Sequence, residues 1–256
     1  MHETIDLLAR QDGLASLTQL ADLGVGRGAV RGRLARGEWE RWGPAVVGVA
    51  GVADSWRRRV RAALLTSGPD AVVSHATAAR MHGLDGFEHD ESLHVSVCGG
   101  GHRRGFTATT VHRSKLLTPK DCVVIDGMPV VSRPLALVQI ADTSSRDTVQ
   151  RALDGLLRSG GHPRWIEQVA TRWCRPGVGG ASLVLDVLRE CTATRLPRSW
   201  FQRLAKRVLA EQGVVMVDEH PVHGPDGRLL AELDLAIPEL MIGLECQSWE
   251  FHGSPA

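Results

Sequence analysis

RGAVRGRLARGEWERWGPAVVGV, running from Arg27 to Val49, decides how the first part of the chain is read. Gly24-Val25-Gly26 before it is a tight turn, because glycine takes the backbone angles such a turn needs. From Arg27 to about Ala35 the spacing predicts a helix with Ala29, Val30 and Leu34 on one face. Arg27, Arg31 and Arg33 lie elsewhere on its surface. Gly28 and Gly32 weaken this helix, since glycine costs about 1 kcal/mol in a helix interior. After Gly37, the stretch from Trp39 to Val49 reads as a small hairpin around Gly43-Pro44.

Upstream, Ile5, Leu7 and Leu8 start a helical pattern that stops at Asp12-Gly13. Ser16 is placed to cap a second short helix carrying Leu17, Leu20 and Ala21. Helix, helix, turn, arginine-rich helix and hairpin, over residues 1–52, is the layout of a winged helix-turn-helix. In that layout the third helix enters the DNA major groove and the hairpin touches the backbone or minor groove. Arg27, Arg31, Arg33, Arg36 and Arg41 are the expected DNA contacts. A guanidinium pairs bidentately with guanine or neutralises phosphate.

The chain has 256 residues, a net charge of +1, 43% hydrophobic and 23% charged residues, which excludes a disordered or collagen-like polymer. No apolar run approaches the roughly 20 residues of a membrane span. The opening residues have no apolar leader, and the five cysteines show no Cys-x-x-Cys spacing, so a cytoplasmic location without disulfides is expected. The near-neutral total conceals two opposed regions. Nine Arg face three acids between Arg27 and Arg61, and eight acids face Arg228 alone from Asp218 onward. The basic region suits a polyanion. The acidic region suits either a solvated face or carboxylates around a metal.

In the middle, Ser55 to Leu65 is predicted as a helix with Trp56, Val60, Ala63 and Leu64 apolar and Arg57, Arg58, Arg59 and Arg61 mostly exposed. Ser74 to Leu84 reads as a second helix, opened by a serine cap and closed by Gly83. Leu93 to Val97 alternates as a strand. Thr107 to His112 is its expected partner across a Gly-rich hairpin loop, Gly99 to Gly105. Histidines recur at 75, 82, 89, 94, 102 and 112. None forms a His-Glu-x-x-His spacing, so no metal site is expected among them.

Taken together, the N-terminal layout, SHATAARMHGL (Ser74–Leu84) and VHRSKLLTPKDCVVIDGMPVVSRPLALVQIAD (Val111–Asp142) resemble AbiEi-type antitoxin-like regulators. The matching pieces are Ser74-His75, Ala78-Ala79, Gly83, His112-Arg113, Gly127 to Val130 and Arg133 to Leu137. The resemblance covers about residues 1–158. It implies a DNA-binding regulator of the type IV toxin–antitoxin class, with a toxin protein or a second copy of the chain as a further partner.

Beyond residue 196, Pro197 to about Gly213 is predicted as a helix, Val214 to Val222 as a strand, Pro225-Asp226-Gly227 as a hairpin turn, and Leu230 to Ile237 and Met241 to Ser248 as further strands. Period two puts Leu233, Leu235 and Ile237 on one face and Glu232 and Asp234 on the other. Glu245 and Gln247 share a face of the last strand. Asp234 and Glu245 can therefore converge on a divalent ion. This region resembles the PD-(D/E)XK core of very-short-patch-repair-like endonucleases. The resemblance implies Asp234 and Glu245 as ligands of Mg²⁺, which activates water and polarises phosphate, and His252 as the trailing histidine. Gln247 stands where the third catalytic residue belongs, and a carboxamide cannot act as a base near neutral pH. Gln202 stands where the family helix offers a Glu. The chain ends at Ala256, before a further helix and strand of the family pattern.

The expected fold class is α+β. It comprises a winged helix-turn-helix (1–52), a middle α/β domain (53–160), linking helices (161–195) and a partial nuclease-like core (196–256). The expected function is a cytoplasmic regulator that binds double-stranded DNA and carries a degenerate nuclease-like tail. No cofactor is expected, or Mg²⁺ if that tail is active. The alternatives are a Mg²⁺-dependent DNA endonuclease and a toxin-binding interaction protein. No membrane partner is expected.

Overall fold

The computed structural model describes residues 2–98, 108–193 and 200–246. Helices and three separate sheets make a mixed α+β protein. The chain divides into two compact units, Met1–Leu185 and Asp186–Ala256. Among the described residues, no helix is long and apolar enough to cross a membrane.

The first unit opens with helix α1 (His2–Arg10), strand β1 (Leu14–Ser16), helices α2 (Leu17–Asp22) and α3 (Arg27–Ala35), and strands β2 (Trp39–Gly43) and β3 (Val46–Val49). The strands form an antiparallel sheet in the order β1-β3-β2. Ser16 caps α2 reciprocally. Its Oγ accepts from Gln19 N at 3.1 Å, and Gln19 Oε1 accepts from Ser16 N at 3.0 Å. Such a box contributes about 1 kcal/mol. Ala15, Leu20, Val30, Trp39 and Val47 form the small core beneath these elements, with Leu7, Leu8 and Leu34 packed on it.

Helix α4 (Trp56–Ser67) follows and is buried on two sides. Its Ala62 and Leu65 join Leu14, Val46 and Trp42 of the first sheet. It also packs against β4 (Ala71–Val73) and β5 (Leu93–Val97), with Val60, Ala63 and Leu64 buried. This corrects the reading of its arginines as mostly exposed. Arg58 is 1% exposed and Arg61 4%. The Arg58 guanidinium donates to Asp12 O (3.1 Å), Val52 O (2.6 Å) and Val49 O (3.0 Å), and lies 4.3 Å from the Trp42 ring centre. Arg61 donates to Asp12 Oδ2 (2.6 Å) and Asp126 O (2.8 Å). Gly48 makes room for this arrangement. A Cβ there would sit 2.8 Å from Trp42 Cδ1 and 2.9 Å from Arg58 Nη2.

The central sheet has the order β6-β5-β4-β8-β7, with β6 (Thr109–Arg113), β7 (Cys122–Ile125) and β8 (Met128–Val131). Helix α5 (His75–Met81) leaves β4, and α6 (Arg133–Ile140) leaves β8 with Pro134 through Ile140 all buried. Helices α7 (Arg146–Arg158), α8 (Pro163–Trp173) and α9 (Gly180–Ala193) follow.

The expected hairpin between β5 and β6 is not what forms. The two strands run parallel, with His94 opposite Thr110 and Ser96 opposite His112. A parallel pair needs a crossover of about a dozen residues, and residues 98–108 supply eleven. The glycine loop read between them falls mostly at 99–107, outside the described residues.

The second unit contains α10 (Trp200–Glu211) and the antiparallel strands β9 (Val217–His223), β10 (Leu229–Ile237) and β11 (Ile242–Leu244), in the order β11-β10-β9. β11 is shorter than the Met241–Ser248 strand expected. Met241 itself takes φ +50°, closing a 3-10 turn rather than opening the strand.

Candidate functional sites

The arginines read as DNA contacts do not form one uniform patch. Arg27 and Arg31 on α3, and Arg41 on β2, are exposed and have no ion partner among the described residues. Arg36 is also exposed, but its Nε donates to Glu38 Oε1 at 2.6 Å, and its Nη2 to Oε2 at 3.2 Å. That bidentate contact raises the Arg36 pKa and lowers that of Glu38. Arg33 is half-buried. Its guanidinium lies 4.7 Å from the Trp39 ring centre, with Nε 3.9 Å from Glu38 Oε2. The free charge on this surface therefore resides on Arg27, Arg31 and Arg41.

Asp234 lies on β10, and Glu245 follows directly on the last residue of the neighbouring β11. Leu235 pairs with Leu244, so the next step outward sets Asp234 beside Glu245. Asp234 Oδ2 accepts from Cys246 N at 2.8 Å. Gln202, fully buried on α10, donates from Nε2 to Asp234 O at 2.6 Å. The fold thus gathers Gln202, Asp234, Glu245 and Cys246. Burial, with both carboxylates beside it, pushes the Cys246 thiol up to about 11 and keeps it protonated. Glu245 is exposed. Two carboxylates, one already bonded to a backbone N–H, offer Mg²⁺ two oxygen ligands. Phosphate and water would have to supply the rest. Gln247 and His252 lie outside the described residues.

A third cluster was not anticipated. His75, His94 and His112 each offer a ring nitrogen, and these three atoms lie within 4.8 Å of one another. Three elements bring them together. His75 begins α5 with φ +52°, a left-handed value that is strained for a residue with a side chain. Its backbone N donates to Oε1 of the buried Gln139 at 3.0 Å, and its Nδ1 lies 3.0 Å from Ser74 Oγ. His94 on β5 and His112 on β6 share a sheet face because His112 is the register partner of Ser96, two residues on from His94, and His94 Nδ1 is 2.9 Å from His112 Nε2. The His75 ring stacks on His112 with centres 3.5 Å apart.

Burial, with His112 and His94 as neighbours, lowers the His75 pKa to about 3. Burial and His94 lower that of His112 to about 4. Burial also lowers that of His94, against a pull from Asp90. All three rings are therefore neutral near pH 7, the state in which imidazole has a lone pair to give. His82 is separate, with Nε2 donating to Val131 O at 2.6 Å.

Sequence spacing does not reveal this cluster, since the three residues sit on different elements. The available signal is a histidine next to an apolar residue on each strand, Leu93-His94-Val95 and Val111-His112-Arg113. Compared with protein-family models and with curated proteins, the chain matches none.

Proposed function

We propose that the chain is a DNA-binding regulator of the type IV antitoxin-like class, which holds double-stranded DNA through a winged helix-turn-helix at residues 1–52. The observation that carries this reading is the surface of Arg27, Arg31 and Arg41, exposed and free of ion partners among the described residues. The order of helices and the β1-β3-β2 sheet support the winged layout, with α3 as the groove helix and the β2–β3 hairpin as the wing. The C-terminal unit is then a nuclease-like core without catalysis. Gln202 is committed to the Asp234 carbonyl, and one Asp234 oxygen to Cys246 N.

The test is duplex-DNA binding by fluorescence anisotropy over a salt series. The full chain should bind with a log–log salt slope of about −0.9 per neutralised phosphate. Arg31→Ala should weaken binding and flatten the slope by about one contact. Loss of all three arginines together should abolish binding at physiological salt. Affinity that is salt-independent, or unchanged in the triple variant, overturns the proposal.

The Asp234–Glu245 juxtaposition favours one second reading, a Mg²⁺-dependent DNA endonuclease. It requires plasmid nicking in Mg²⁺ that disappears in Asp234→Ala. Intact plasmid after incubation with pure protein in Mg²⁺ or Mn²⁺ eliminates it.

A further inference from the structure

We propose that His75, His94 and His112 bind one divalent transition-metal ion of the zinc class, with a fourth coordination position left to water or to an oxygen of a bound ligand. The site is independent of the DNA-binding surface and of the C-terminal carboxylates.

The geometry is close to what such an ion needs. Tetrahedral zinc with bonds of about 2.0–2.1 Å holds its nitrogens roughly 3.4 Å apart. The three imidazole nitrogens already lie within 4.8 Å of one another. To bind one ion, the stacked His75 and His112 rings must tilt out of parallel so that both in-plane lone pairs meet it, and the His94–His112 hydrogen bond must open. Imidazole is a ligand for Zn²⁺, Cu²⁺, Fe²⁺ and Ni²⁺ rather than for Mg²⁺ or Ca²⁺, which prefer oxygen. His75 is held from behind, as an ordered ligand must be, through Ser74 Oγ at Nδ1 and Gln139 at the backbone N. That support holds it in a left-handed backbone conformation, which persists only where the surroundings enforce it.

Two further observations point the same way. Ser96 is 1% exposed, yet its Oγ has no hydrogen-bond partner among the described residues. It lies on the same strand face as His94, and its register partner is His112. An orphan buried hydroxyl is destabilising, and a metal-bound water or ligand oxygen beside the histidines would relieve it. Secondly, all three histidines are only half-buried, and β6 is the edge of its sheet, so an ion has a route in. The low proton affinity of the rings removes the usual competitor for the lone pairs near pH 7.

The experiment uses the full chain, stripped with a chelator. Zn²⁺ is titrated against a chromophoric competitor, and Co²⁺ is added in parallel for its visible spectrum. The expected result is one equivalent per chain, with tetrahedral Co²⁺ bands and no thiolate charge-transfer band. His94→Gln and His112→Gln should each lower affinity by at least about 10–100-fold, the loss seen when a group that merely supports a metal ligand is removed. The exposed His89→Gln should change nothing. Circular dichroism checks that the variants fold. A gain-of-signal variant, His112→Cys, should add a thiolate band to the Co²⁺ spectrum. Less than a tenth of an equivalent bound, binding that survives both glutamine variants, or a wild-type spectrum with thiolate bands from Cys98 or Cys122 overturns the proposal.

Discussion

Helices α3 and α4 are both rich in arginine, and the fold puts them to opposite uses. On α3, Arg27 and Arg31 point their charge at solvent with no ion partner among the described residues. On α4, Arg58 and Arg61 are buried and act as multi-pronged clips between the first sheet, the Asp12 turn and the Asp126 turn. The difference lies in the neighbours. One side of α3 rests on the small core through Val30 and Leu34, leaving the rest open. Helix α4 lies between two sheets, so the positions of Arg58 and Arg61 are covered while Arg57 and Arg59 stay partly open. A run of positive charge in a sequence is thus not by itself a DNA surface.

The largest contrast should come from Arg58. Arg58→Ala removes one group that satisfies three backbone carbonyls and stacks on Trp42, at a site 1% exposed. Unfolding by urea should show a loss of about 3–5 kcal/mol, the scale for breaking a buried charged network. Arg58→Lys should rescue little, because an ammonium cannot fan out to three acceptors in the guanidinium geometry. Arg31→Ala, on the exposed helix, should stay within about 0.5 kcal/mol of the parent. Equal effects at positions 58 and 31 would erase the distinction drawn here.

Asp12 comes next. Its carboxylate accepts from Arg61 Nε at 2.6 Å and lies 3.7 Å from Arg57 Nε. Asp12→Ala leaves the nearly buried Arg61 with only the Asp126 carbonyl. A loss of about 1.5–3 kcal/mol is expected, the range for a charge-assisted hydrogen bond. Arg59 offers the internal control. It pairs with Glu91 at 3.2 Å and lies 3.6 Å from Asp54 while over a third exposed. Arg59→Ala should cost less than about 1 kcal/mol, as exposed pairs do. A thermal or urea series ordered 58, 12, 59 tests the gradient of burial directly.

Much of this was legible in the residues, and the failures share one cause. The bounds of α3 followed from the Gly24-Val25-Gly26 turn and the apolar spacing, and the α2 cap from Ser16. Period two and the Pro238-Glu239 turn set Asp234 and Glu245 on adjoining strands, and the structure puts Glu245 one residue beyond the end of β11. What went unread depended on a second neighbour. The burial of Arg58 needs a sheet on the polar side of its helix, which helical periodicity does not announce. The histidine cluster needs α5 to bring His75 onto the sheet face that His94 and His112 share. Both are long-range facts, and local pattern carries only the nearest one.

The smallest effect on stability gives the sharpest test of what the exposed arginines are for. Glu38 neutralises Arg36 through a bidentate contact and lies near Arg33. All three are at least partly exposed, so Glu38→Gln should leave folding stability within about 0.5 kcal/mol. Its consequence for DNA is of the other sign. Removing the acid releases the Arg36 guanidinium and deletes a negative charge from the surface proposed to meet phosphate. Duplex affinity should therefore rise several-fold at low salt, and the salt slope should steepen by about one contact. Both gains should shrink as the salt concentration is raised, because the interaction is screened. If DNA is instead indifferent to Glu38→Gln while Arg31→Ala still weakens binding, then Arg36 lies off the contact surface. The interface would then narrow to Arg27, Arg31 and Arg41, the three without an ion partner among the described residues.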